Sequence, residues 1–314
     1  MIHSRLNTTV QATLNLGDLA RLPILLPPAP ERNAIAHILG TLDDRIDANR
    51  RVAATLEEMA RALFRAWFVT FEPVRAKAEG RWRPGQTLPG LPASLYDTFP
   101  DRLVETEHGE IPEGWRLGAL SDIATLNPEV WTRATRPAAI NYVDLANTKW
   151  GRIETIQHLA RDEAPSRAQR VLKPGDTIVG TVRPGNGSFA FVATVGLTGS
   201  TGFAQLRAKQ ERVSALIYLA ATAQENIEAL THLADGAAYP AVRPEVVAAT
   251  RVMIPGQKAI EAFDVQAANW LMRTSIAEQE SRALATIRDS LLPKLVSGAI
   301  RVKDAEAFLK ARGL

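Results

Sequence analysis

From Leu39 to Trp67 the side chains Leu39, Leu42, Ile46, Asn49, Ala53, Leu56, Ala60, Leu63 and Trp67 recur in alternating steps of four and three. That spacing is the seam of a coiled coil, held for about four heptads, and a short globular helix does not sustain it. Pro30 suits the first helical turn, and Pro73 forbids the helix from running on. About 40 residues at ~1.5 Å each make a rod of roughly 60 Å, longer than one small domain needs. Asn49 is a polar member of the seam, the kind that fixes register at some cost in stability.

Such a helix requires a partner, and the chain contains one. When the sequence is displaced so that Pro27 falls on Pro255, "LARLPILLPP" lies over "VAATRVMIPG". The seam, taken one step further back to Ile35, then maps onto Phe263, Ala267, Trp270, Thr274, Ala277, Ser281, Leu284, Arg288, Leu291 and Leu295. Each copy reads as an apolar strand ending in Pro, then a long helix. The first helix closes on "LFRAWFVTF", which puts Phe64, Trp67, Phe68 and Phe71 within eight residues. Two readings stand for these four. They are the foot of a helix sunk into its own core, or they are a surface on which another chain docks.

Between the helices, residues 73–110 are rich in Pro, Gly and Arg without periodicity, which reads as an extended linker. Residues 111–255 alternate β-like runs ("AAINYVDL", "DTIVGTV", "SFAFVATVG") with an amphipathic helical stretch. They form a mixed α/β domain large enough for its own core. The fold class expected is therefore α+β, a mixed α/β domain plus two long antiparallel coiled-coil helices.

Composition narrows the chemistry. The chain lacks cysteine, so there is no disulfide framework, zinc thiolate or cysteine nucleophile. Its five histidines are scattered, and no apolar run approaches the ~18 residues of a membrane span. Neither an Asn/Asp-Pro-Pro-aromatic methyltransferase motif nor a phosphate-binding glycine loop is present, since "VRPGNGS" spells neither pattern. Asp176, after "KPG", reads as a turn former. The net charge is only +3, but residues 129–210 carry 11 Lys and Arg against 6 Asp and Glu. A basic middle in an otherwise mildly acidic chain faces an anion.

These stretches together resemble the DNA-specificity subunits of type I restriction-modification systems. "LPILLPPAPERNAIAHILGTLDDRIDANRRVAATLEEMARALFRAWFVTFEPV" is similar to that family's central helical region, and "GEIPEGWRLGALSDIATL" to the opening of its target recognition domain. "VLKPGDTIVGTVRP" and "TGSTGFAQLRA" resemble motifs inside that domain. "GAAYPAVRPEVVAATRVMIP" is similar to its close, and "LATIRDSLLPKLVSGAIRV" to the terminal helix. The resemblance implies a plan: residues 1–28 as the end of a first recognition domain, 29–72 as helix 1, 73–110 as linker, 111–255 as the recognition domain, and 256–314 as helix 2 with a tail. Family members usually carry two recognition domains, so this plan is a half-size form.

What the resemblance implies for function is a non-catalytic, cytoplasmic subunit that reads double-stranded DNA. It would direct modification subunits that use S-adenosylmethionine, and a restriction subunit that uses ATP and Mg; no cofactor is expected in this chain. A coiled-coil scaffold, or a truncated half-subunit without its own DNA specificity, is the alternative. A homodimer, or pairing with a different half-size subunit, would supply two recognition domains. The DNA-reading candidates lie in loops between β-like runs: Thr181, Arg183, Asn186 and Ser188 in "TVRPGNGS", Ser200 and Thr201 in "GSTGF", and Tyr239 and Arg243 in "DGAAYPAVR". Arg suits the O6/N7 edge of guanine and Asn the N6/N7 edge of adenine. Phe64, Trp67, Phe68 and Phe71 are the candidates for docking a partner subunit.

Overall fold

The structure is a computed structural model that describes residues 26–311, apart from 108 and 237–239, with a few residues before 26. Most of the stretch read as the end of a first recognition domain, and Tyr239 with it, lies outside the described residues. Along the chain run α1 (Ala29–Phe68), α2 (Glu72–Ala78), β1 (Leu103–Thr106), β2 (Gly109–Pro112), β3 (Arg116–Ala119), β4 (Ala124–Leu126), β5 (Ala139–Val143) and β6 (Gln157–Ala160). There follow β7 (Ala168–Val171), β8 (Thr177–Gly180), β9 (Phe189–Phe191), β10 (Leu197–Ser200) and β11 (Phe203–Ala208). Last come α3 (Ser214–Ala221), α4 (Gln224–His232), α5 (Pro244–Ala248), β12 (Arg251–Ile254), α6 (Gln257–Val296) and α7 (Val302–Lys310).

Both long helices have 40 residues, and their ends stand in the register of the internal repeat. The chain divides into two compact units, Met1–Ala48 with Ser281–Leu314, and Asn49–Glu280. In the first, Ile35, Ile38, Leu42 and Ile46 of α1 bury against Leu284, Leu291 and Leu295 of α6, and α7 adds Ala305 and Leu309. Arg288, a charged member of the seam, bonds Asp43 at 2.6 Å. In the second unit residues 49–68 of α1 pack on α6 as well. The Thr274 hydroxyl donates to Ala53 O at 3.3 Å, and Ala60 and Phe263 are fully buried.

A mixed α/β fold fills the rest of the second unit. One sheet has the order β6-β5-β10-β7 and the other β9-β8-β11-β4. In the first sheet β5 and β10 run parallel, and the other neighbours are antiparallel. Every residue of β8 and β9 is buried, as expected of strands covered on both faces. α3 lies over β8 and β11 with seven of its eight residues buried. Strand β12 pairs antiparallel with β3, Arg251 opposite Ala119 and Ile254 opposite Arg116. The segment therefore enters and leaves its fold side by side.

The linker expectation does not hold. Residues 73–110 contain most of α2, all of β1 and the start of β2, and they bury Val74, Trp82, Leu91 and Phe99 in the unit's main core. The Trp82 indole N–H donates to Gln86 O at 2.8 Å. The Lys77 ammonium donates to Tyr96 O and Phe99 O, pairs with Asp101 at 2.6 Å, and sits 4.1 Å from the Tyr96 ring centroid. Aromatic packing around one satisfied cation orders this stretch, and that needs no periodicity.

α1 ends where its aromatic residues begin to sink. The Thr70 N–H and hydroxyl both bond Arg65 O, closing the last turn, and Phe71 then turns the chain with a left-handed φ of 56°. Trp67 is 1% exposed and Phe68 3%, and both pack on Phe263 at ring separations of 5.8 and 4.8 Å. Phe99 meets Trp67 edge-on at 4.8 Å, and Trp115 meets Phe71 at 6.1 Å. Trp67, Phe68 and Phe71 are thus core residues of their own unit, and the docking assignment for these three is corrected. Phe64 is half-buried and keeps an accessible edge.

Candidate nucleic-acid interface

Three loops selected from the sequence, distant along the chain, come together at one place. The Thr181 N–H and hydroxyl both donate to Gly202 O at 2.9 Å, and the Val242 N–H donates to Thr181 O at 2.9 Å. The Arg183 N–H donates to Pro240 O at 2.7 Å, the Gly180 N–H to Ser188 O at 2.7 Å, and the Thr201 N–H to Arg167 O at 2.8 Å. Residues 180–188, 200–202 and 240–243 are therefore one hydrogen-bonded cluster.

Within it the candidates divide. Thr181, Ser188 and Ser200 are buried and their hydroxyls are committed: Thr181 to Gly202 O, Ser188 to Leu145 O at 3.0 Å, and Ser200 accepting from the Gly202 N–H at 3.1 Å. These three build the loops. Arg183, Asn186 and Arg243 are exposed, and Thr201 is half-exposed. Arg183 holds a left-handed φ of 48° at the head of the short turn Pro184–Asn186, which ends on Gly187, also left-handed.

The structure adds two cations that sequence reasoning passed over. Arg167 adjoins Thr201, and its Nε donates to the Tyr142 hydroxyl at 3.0 Å while Asp144 lies 3.6 Å away. Hydrogen bonding to Tyr142 raises the Arg167 pKa. Arg170 is half-buried with its Nε unpaired, and burial lowers its pKa against the opposing charge of Glu245. "SRAQR" belongs to the basic block, but nothing local reveals that β7 runs beside the Ser200 loop.

Part of that block is committed internally. Asp176 closes the "KPGD" turn by accepting the Lys173 N–H at 2.7 Å. Its buried carboxylate also accepts Gln205 Nε2 at 2.7 Å and Arg207 Nε and Nη2 at 2.8 Å. The bond to Asp176 raises the Arg207 pKa. Glu129 bridges Arg207 and Lys173, and its own pKa is lowered, first by Lys173. Arg207 thus braces the two sheets and contributes little outward charge, while Lys173 stays exposed beside Glu129.

A cleft of about 1080 Å³ lies along the Asn49–Phe68 part of α1, walled by Arg61, Phe64, Phe68, Trp150, Leu219 and Met253. On its floor Arg61 bonds Glu57 at 2.7 Å and Thr222 O at 3.1 Å, and it lies 5.8 Å from the Tyr218 ring centroid. Burial, then the charge of Glu57, drives the Tyr218 pKa well up, so it stays a neutral hydroxyl donor to Glu57. Among the described residues no group of three or more His, Asp or Glu is placed to hold a metal ion.

No family model matches the chain. The HindI specificity subunit, a type I restriction enzyme component of Haemophilus influenzae, is 25% identical over 95% of this chain and 72% of its own length. The MjaIX specificity subunit of Methanocaldococcus jannaschii, also from a type I restriction enzyme, is 22% identical over 92% of this chain and 63% of its own length. A solved type I restriction-modification S subunit from M. genitalium aligns with 94% of this chain and 68% of its own at a TM-score of 0.48 and 15% identity.

Proposed function

From the premise that this chain is homologous to type I restriction specificity subunits along nearly its whole length, we propose that it is the sequence-reading subunit of such a system. The observation that carries this reading is the loop cluster. Three separate loops converge to present Arg183, Asn186 and Arg243 together while their hydroxyl neighbours hold the backbone. Exposed cations position a duplex through its phosphates, and Arg and Asn at loop tips read base edges. The subunit itself performs no bond chemistry. It delivers modification subunits, which use S-adenosylmethionine, and a restriction subunit, which uses ATP and Mg, to a site in cytoplasmic DNA.

One recognition fold lies among the described residues, and a few base pairs read by one fold compete poorly against a genome. Two copies of the chain would read an inverted repeat with a fixed spacer. A mobility-shift assay on mixed plasmid fragments tests the core reading. A subset of fragments should be retained at lower protein concentration than the rest. Equal retention of all fragments, or of none, contradicts it.

A further inference from the structure

Among the described residues, five non-glycine positions have left-handed backbone, and two of them, Trp150 (φ 46°) and Arg183 (φ 48°), flank one short turn. Bulky side chains avoid this conformation, and it persists only where the surroundings over-determine it. Here the surroundings are visible. The Trp150 N–H donates to Gly187 O at 2.6 Å. The indole lies so close over Gly187 that a β-carbon there would come within 2.5 Å of the ring. Next to it, the Gly151 N–H donates to Phe189 O at 2.9 Å, and the Trp150 ring meets Phe189 edge-on at 5.8 Å. The turn Pro184–Asn186 is thus held at one end by the Arg183 N–H on Pro240 O and at the other by Trp150 on Gly187.

Core packing does not explain this tryptophan. It is 49% exposed, while Phe189 beneath it is buried and closes the core itself. A large aromatic kept in a costly backbone conformation and left half in solvent is serving the turn it covers. We infer that Trp150 is a positioning residue for sequence readout: its indole clamps Gly187 and holds the 183–187 turn in the conformation that presents Arg183 and Asn186 together. This rests on the DNA-reading assignment above.

The experiment is selection of duplexes from a random-sequence library by the full-length chain, followed by titration of the enriched and the unselected duplex. The wild type enriches a sequence. Trp150→Ala lowers the ratio of enriched to unselected affinity about tenfold, the scale of one good base contact, and leaves affinity for unselected DNA nearly unchanged. Trp150→Phe keeps a ring over Gly187 and restores most of the ratio, which a loss of general stability would not predict. Gly187→Ala must displace the indole and lowers the same ratio, so it decides the matter if Trp150→Ala does not fold. An unchanged ratio in Trp150→Ala or Gly187→Ala overturns the proposal. Equal loss on both duplexes also overturns it, because Trp150 would then touch DNA itself. If the wild type enriches nothing, the DNA-reading assignment falls and takes this one with it.

Discussion

Along α1 burial follows a count: Leu42, Ile46, Ala53, Ala60 and Trp67 are buried, with Leu39, Asn49, Leu56 and Leu63 half-buried between them. In the loop cluster neighbours part company without any count. Thr181 and Ser188 turn inward, while Arg183 and Asn186 between them turn out. The helix obeys a local rule, because 3.6 residues per turn put every fourth-then-third side chain on one face. The loops obey distant partners, because Thr181 is set by Gly202 and Val242, and Arg183 by Pro240. A region whose geometry is local is stable and easily read. One whose geometry is borrowed can be varied residue by residue, which suits the sequence-reading role proposed for it.

The largest test of this contrast is at the foot of α1. Trp67→Ala should cost about 3–5 kcal/mol of stability, the range for a fully buried aromatic. Chemical denaturation of the isolated chain reads it. A loss well under 1 kcal/mol would return Trp67 to a docking role.

The next test is where α6 meets the α/β fold. Asp264 of α6 accepts the Ala215 N–H at 2.8 Å, at the first turn of α3. Asp264→Ala leaves that buried donor unpaired, at about 1–3 kcal/mol. Burial raises the Asp264 pKa against the bond from Ala215. The folded state therefore keeps its proton to higher pH than the unfolded chain, and stability declines as pH rises from the ordinary carboxylate value of about 3.9 through the raised one. Asp264→Asn keeps an acceptor oxygen and should remove that decline. A pH–stability curve identical to wild type would refute the assignment.

In the loops, Arg183→Ala should cost about 1–3 kcal/mol of binding to the preferred site, with less lost on unrelated DNA. Equal losses would make Arg183 a phosphate contact. Arg243→Ala should be the smallest effect, a reduction of about one in the slope of log affinity against log salt. An unchanged slope would place Arg243 away from the backbone.

How much of this was legible follows from the same contrast. The seam, the repeat and the α+β class were readable because each is written in spacing. The segment 73–110 was misread, since Trp82, Leu91 and Phe99 pack around Lys77 without a period. Glycines and prolines marked the candidate DNA-reading stretches as loops, and their meeting in one cluster is set by hydrogen bonds between distant parts of the chain. Which side chains faced outward was not readable, because hydrogen bonds from other parts of the chain decide it. Arg167 and Arg170 were missed for that reason.

The central claim, that these loops choose the DNA sequence, is tested most directly by mapping methylated bases in cells that carry the chain with its modification subunits. The wild-type chain should place methyl groups in one fixed sequence context. Arg183→Ala with Asn186→Ala should relax or change that context at a subset of positions while methylation continues. An unaltered context in the double variant, or methylation without any context in the wild type, would contradict the account.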